Sequence, residues 1–142
     1  MTKSEIIKWL NKYKVFKYTI NDDLTIDVDG DVVLYNKQLT SIPVKFNKVN
    51  GYFYCAYNNL TTLEGCPKEV NGYFDCYNNK LTTLEGCPKV VNGNFDCSNN
   101  KLSIDDDRSI DIKGKFICNE EFKVSKTYKR YMLIDKMSKI TN

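Results

Sequence analysis

The chain of 142 residues has no histidine, one tryptophan and three prolines. Without histidine it lacks the side chain that most often serves as a general base or a neutral nitrogen ligand near pH 7. No apolar run approaches the roughly 18 residues that a membrane-spanning helix requires. At the amino terminus Ile6-Ile7 is followed at once by Lys8, and lysines recur to Lys17, so the uninterrupted apolar core of a signal peptide is missing. A phosphate-binding loop, a nucleophile elbow and a carboxylate pair at catalytic spacing are missing too. These absences predict a cytoplasmic chain that is not an enzyme, carries no cofactor and does not contact a membrane.

What is there is a repeat. Val70-Asn71-Gly72-Tyr73-Phe74-Asp75-Cys76 returns as Val91-Asn92-Gly93-Asn94-Phe95-Asp96-Cys97, and the stretch from Val49 to Cys55 precedes both. Degenerate copies begin at Val28 and Ile112, which makes five rungs stepping by 21 residues. Self-similarity at a short fixed period is the mark of a solenoid, whose units bury their apolar faces only against one another. Gly30, Gly51, Gly72, Gly93 and Gly114 hold one column, which points to positive φ or to close approach of neighbouring turns. Within a rung, Phe74 and Cys76 fall on one face of a strand and Tyr73, Asp75 and Tyr77 on the other. Asn78 to Pro88 then reads as a turn-rich return, extended or 3₁₀, too short for a long helix.

Phe95-Asp96-Cys97-Ser98-Asn99-Asn100-Lys101-Leu102 resembles the leucine-rich-repeat consensus L-x-L-x-x-N-x-L, and Leu81-Thr82-Thr83-Leu84-Glu85-Gly86-Cys87-Pro88 resembles the short repeats of bacterial proteins. The repeat unit, with the lead-in from Tyr18 to Val32, is similar to short-repeat leucine-rich-repeat proteins of tailed bacteriophages and bacteria. The resemblance covers roughly residues 15 to 122. It implies a leucine-rich-repeat-like stack with a parallel β-sheet and a host-directed binding role, including anti-defence activity against a host protein. Rung one departs by carrying Lys37 at the patterned asparagine, and the segment from Ser103 to Ile110 loses the Leu-Glu-Gly-Cys-Pro phrase.

A single domain is expected, with residues 1–27 as an amino-terminal cap, 28–122 as repeats and 123–142 as a carboxy-terminal helical cap. Thr2-Lys3-Ser4-Glu5 has capping-box spacing, and Ile6, Trp9, Leu10 and Tyr13 follow a helical stripe. A hairpin from Val15 to Val28, turning at Asn21-Asp22-Asp23, comes next. Ser125 to Lys139 reads as a second helix. Residues 1–20 carry five lysines against Glu5, a net of +4, and residues 123–142 carry a net of +5. The overall +3 leaves −6 for residues 21–122, an acidic repeat surface that argues against a nucleic-acid partner.

The six cysteines fall in two repeat columns, Cys55, Cys76, Cys97 and Cys118 in one and Cys66 and Cys87 in the other. Leu34 fills the first column in rung one, and leucine binds no metal, so buried thiols that pack are expected rather than a disulfide or a zinc site. Asn58, Asn79 and Asn100 form a column of side-chain amides suited to satisfying turn backbone groups. The carboxylates of Asp27, Asp29 and Asp31 hint at a calcium loop, but the glycine is misplaced and no closing glutamate follows; a turn is expected.

The outward strand positions form three columns: Asp31, Tyr52, Tyr73, Asn94, Lys115; Val33, Tyr54, Asp75, Asp96, Ile117; and Tyr35, Ala56, Tyr77, Ser98, Asn119. Tyrosine joins a large contact area to few rotors and a polar tip. Tyr35, Tyr52, Tyr54, Tyr73, Asp75, Tyr77, Asn94 and Asp96 are therefore the expected partner-binding residues on a concave sheet. The function expected is protein–protein interaction with an unidentified partner protein, in the phage setting an inhibitor or modulator of a host protein. The alternative is a structural, self-assembling protein that forms a homodimer.

Overall fold

The structure, a computed structural model, describes residues 1–103 and 109–119. The aspartates at 105–107 and the helix expected from Ser125 to Lys139 lie outside the described residues. Helix α1 (Lys3–Lys12) starts where the sequence places it. Thr2 Oγ1 accepts from the Glu5 amide at 3.2 Å while the Glu5 carboxylate accepts from the Thr2 amide at 2.7 Å, a closed capping box. Ile6 and Leu10 are buried, and Trp9 and Tyr13 pack against the same core.

Strands β1 (Tyr18–Ile20) and β2 (Thr25–Val28) form the expected antiparallel hairpin, with Tyr18 opposite Val28. After it come β3 (Val32–Val33), β4 (Lys45–Val49), β5 (Phe53–Tyr54), β6 (Glu69–Val70), β7 (Phe74–Asp75), β8 (Val90–Val91), β9 (Phe95–Asp96), β10 (Asp111–Ile112) and β11 (Phe116–Ile117). They sort into a six-stranded sheet ordered β1-β2-β4-β6-β8-β10 and a five-stranded sheet ordered β3-β5-β7-β9-β11. Beyond the hairpin the pairings among the described residues are parallel. Strand β2 shifts register against β4 between Ile26 and Val28, while the five-stranded sheet stays in register: Val32 with Phe53, Phe53 with Phe74, Phe74 with Phe95, and Phe95 with Phe116. The chain is a parallel β-solenoid of about four turns.

One strand and an extended return were expected in each rung; instead each turn gives a strand to both sheets. The reason lies at the glycine column. Gly72 N–H donates to the Gly51 carbonyl at 2.9 Å and Gly93 N–H to that of Gly72 at 3.0 Å, so the bend between β6 and β7 is itself hydrogen-bonded to its neighbours. A Cβ on Gly72 would lie 2.9 Å from the Gly51 carbonyl carbon. Close approach, rather than positive φ, accounts for this column at Gly72. The residues before the bend (Val49, Val70, Val91) then stack as a second ladder opposite the phenylalanines.

Between the sheets runs a continuous aromatic spine. Phe53, Phe74 and Phe95 are fully buried with centroids 5.8 and 4.9 Å apart. The spine extends to Phe116 at 5.4 Å and, through Phe46, to Trp9 of α1. Each buried phenylalanine contributes about 1.5–3 kcal/mol. Asn79 sits beside it, buried, donating to the carbonyls of Cys55 (3.0 Å) and Cys76 (3.1 Å) and accepting from the Leu60 amide (3.0 Å). Asn58 and Asn100 make equivalent bonds one turn before and after, as expected for a column that satisfies buried backbone groups.

Candidate functional site

The outward face of the five-stranded sheet carries the predicted residues. Tyr52 and Tyr73 stack face to face with centroids 5.1 Å apart, and Tyr54 leans on Tyr52 at 5.5 Å. The glycine column makes room for this file: a Cβ on Gly93 would lie 2.5 Å from Cδ1 of Tyr73, and one on Gly72 would collide with the Tyr52 ring. Each ring thus lies over the glycine of the next turn. Asn94 and Asp31 occupy the same column but are used differently. Asn94 Oδ1 accepts from the Lys115 amide at 2.8 Å, and Asp31 Oδ1 from the Tyr52 amide at 2.7 Å. Both act as braces for the following turn.

The third column departs from expectation. Ala56 is buried and offers no surface to the face. Its place on the face is taken by Tyr57, which lies 5.2 Å from Tyr35 and 5.3 Å from Tyr77 between ring centroids. Tyr57 adopts the left-handed conformation at φ 55°, as do Asn36, Asn78 and Asn99 at the equivalent point of their turns. Asparagine tolerates that region; for a residue such as tyrosine it costs about 1–2 kcal/mol. The second turn accepts that strain and thereby bridges Tyr35 to Tyr77 with no gap. The pairing of Ala56-Tyr57 against Tyr77-Asn78 in the sequence is the signal that would have found it.

Two tyrosine files therefore flank a central column holding Tyr54, Asp75 and Asp96. Four rings, Tyr35, Tyr52, Tyr57 and Tyr73, are 40–50% exposed although each is in ring contact. Asp75 is opposite Tyr54 on one side and Asp96 on the other. Burial, assisted by the charge of Asp96, outweighs the bond from the Tyr77 amide and pushes the Asp75 carboxyl above the ordinary aspartate range. Tyr54 and Tyr57 are likewise raised, chiefly by burial, and both feel the charge of Asp75.

The thiols point the other way. Cys55, Cys66, Cys76 and Cys97 are buried and free. Burial pushes Cys66, Cys76 and Cys97 well above the usual thiol range, so they are neutral packing groups at physiological pH. The aspartates of the calcium-like phrase serve the fold: Asp27 Oδ1 accepts from Asn47 Nδ2 (2.8 Å) and the Lys48 amide (3.1 Å).

A groove of about 710 Å³, unforeseen in the sequence, opens elsewhere, along the Glu-Gly-Cys turns. Its rim alternates Lys45, Glu64, Lys68, Glu85 and Lys89, which sets no preference for a ligand of either sign. Among the described residues no helix is long and apolar enough to cross a membrane. Compared with protein-family models, curated proteins and solved structures, the chain matches none.

Proposed function

We propose that the chain is a non-enzymatic protein-binding module that docks a partner protein on the tyrosine face of the five-stranded sheet. The observation that supports this most is a pair of tyrosine groups in ring contact on a face turned to solvent, Tyr52 with Tyr54 and Tyr73, and Tyr57 with Tyr35 and Tyr77. Aromatic rings with a polar tip supply contact area at low entropic cost and are enriched in binding hot spots. Among the described residues no second layer covers this sheet for them to fill.

In this reading residues 28–122 are five leucine-rich-repeat-like rungs, and α1 with its hairpin closes one end. The resemblance to phage-borne repeat proteins makes the partner a host protein in the cytoplasm, blocked by steric occlusion. Replacing Tyr52, Tyr73 and Tyr77 together by alanine should abolish retention of the partner in a pull-down while circular dichroism stays unchanged; unaltered retention would reject the reading. A homodimer through the same face is the competing outcome, and light scattering on the pure protein separates the two.

A further inference from the structure

Asp75 occupies a particular place within the tyrosine face. Along its own strand it is flanked by Tyr73 and Tyr77, and across the sheet it is paired in register with Tyr54 and with Asp96. It is a carboxylate with aromatic neighbours on three sides and a second carboxylate on the fourth. Register-paired aspartates on adjacent strands lie about 4.8 Å apart and repel each other. No described cation pairs with either carboxylate: the ion pairs among the described residues are Lys48 with Glu69 and Lys113 with Asp111, both elsewhere. Asp75 Oδ1 accepts from the Tyr77 amide at 2.9 Å, and Asp96 Oδ1 accepts from the Ser98 amide at 2.9 Å and from the Ser98 hydroxyl at 2.5 Å. No described residue donates to Oδ2 of either.

Two aligned acceptors, the first between Tyr73 and Tyr77 and the second between Asn94 and Ser98, match one chemistry closely. A guanidinium is planar, carries donors in a fork that can span two carboxylate oxygens, and stacks on aromatic faces. An inorganic divalent cation fits poorly, because two carboxylates leave most of its oxygen ligands unsupplied. Resting on the docking face proposed above and naming what it grips, we infer that the face is an arginine-reading surface. A partner arginine lies between the tyrosine files with its guanidinium on Asp75 and Asp96. The partner is then a protein that presents an arginine on an exposed segment.

The test uses the folded full chain and two probes, a penta-arginine peptide and its neutral counterpart penta-citrulline, titrated by calorimetry. Penta-arginine should bind and penta-citrulline should not. The double variant D75N/D96N should weaken penta-arginine binding at least about tenfold. E64Q/E85Q removes the same charge from the groove side and should change it less than about twofold. Equal weakening by both pairs would reduce the effect to net charge and overturn the inference, as would absence of penta-arginine binding or indifference to D75N/D96N. Y52A/Y73A/Y77A separates the two levels. Partner retention lost in that variant but kept in D75N/D96N leaves the docking face standing and removes the arginine. Retention kept in both removes the face itself. A dimer dissolved by the tyrosine changes would assign the surface to a second copy and also overturn the inference.

Discussion

The ring of Tyr52 lies 25° from parallel to that of Tyr73 and over the Cα of Gly72, so an exposed aromatic file and a bare backbone position depend on each other. Adding a single methyl at Gly72 presses on the Gly51 backbone and on the Tyr52 ring together. Gly72→Ala is expected to cost about 1–3 kcal/mol, read as a lower urea midpoint. In a Tyr52→Ala background the same change should cost less, because only the backbone contact remains.

The asparagine ladder is expected to matter more than any surface residue. Asn79→Ala leaves the buried Leu60 amide unpaired and takes one of two donors from each of the Cys55 and Cys76 carbonyls, which keep Asn58 and Asn100. A buried amide left unpaired costs about 1–3 kcal/mol, and a loss of about that size is expected in chemical denaturation. Asn79→Asp should not rescue it, since a carboxylate cannot donate to the Cys55 and Cys76 carbonyls.

Tyr57→Asn is expected to separate stability from binding. It restores the residue found at φ 54–55° in the following turns, relieving about 1 kcal/mol of strain. It also removes two half-exposed ring contacts worth about 0.5 kcal/mol each. These nearly cancel, so the unfolding free energy should move by less than about 1 kcal/mol while retention of the partner falls.

Asp75 makes the fold sensitive to pH in a defined direction. Its folded pKa is raised, so between the unfolded and folded values the native state holds the extra proton. Stability from this group is therefore greatest below the ordinary aspartate range and declines as pH rises through the raised value. Asp75→Asn should be more stable than the parent at pH 7, with the gap closing towards pH 3.5, roughly the foot of the aspartate range. Paired urea titrations at the two pH values check it.

The thiols supply a test of the interior. Cys55, Cys76 and Cys97 should resist iodoacetamide in the native protein at least about a hundredfold more than after unfolding. The partly exposed Cys118 should react ahead of them.

Much of this was legible because the period is strict. The 21-residue step shows which residues stack, and with that the Asn58, Asn79 and Asn100 ladder, the Tyr52–Tyr73 neighbourhood and the burial of four of the six thiols; Cys87 and Cys118 are only partly buried. The capping box at Thr2 and Glu5 was equally local. Periodicity alone cannot say how often the chain bends within one period. The strand legible from Tyr73 to Tyr77 leaves Val70 without one of its own, whereas the glycine column bends the chain and gives Val70 and Phe74 to separate sheets. The column pattern hides Tyr57 for a related reason. Strict columns assign it to the asparagine position, and only the burial of Ala56 shows that its ring fills the neighbouring file.

The most direct measurement is a nuclear Overhauser spectrum of the protein labelled selectively in its tyrosine rings. The account predicts ring-to-ring contacts joining Tyr52 to Tyr73, Tyr35 to Tyr57 and Tyr57 to Tyr77, with the same signals open to a solvent-borne photosensitiser. Rings without mutual contacts, or rings shielded from the sensitiser in the isolated protein, would contradict it.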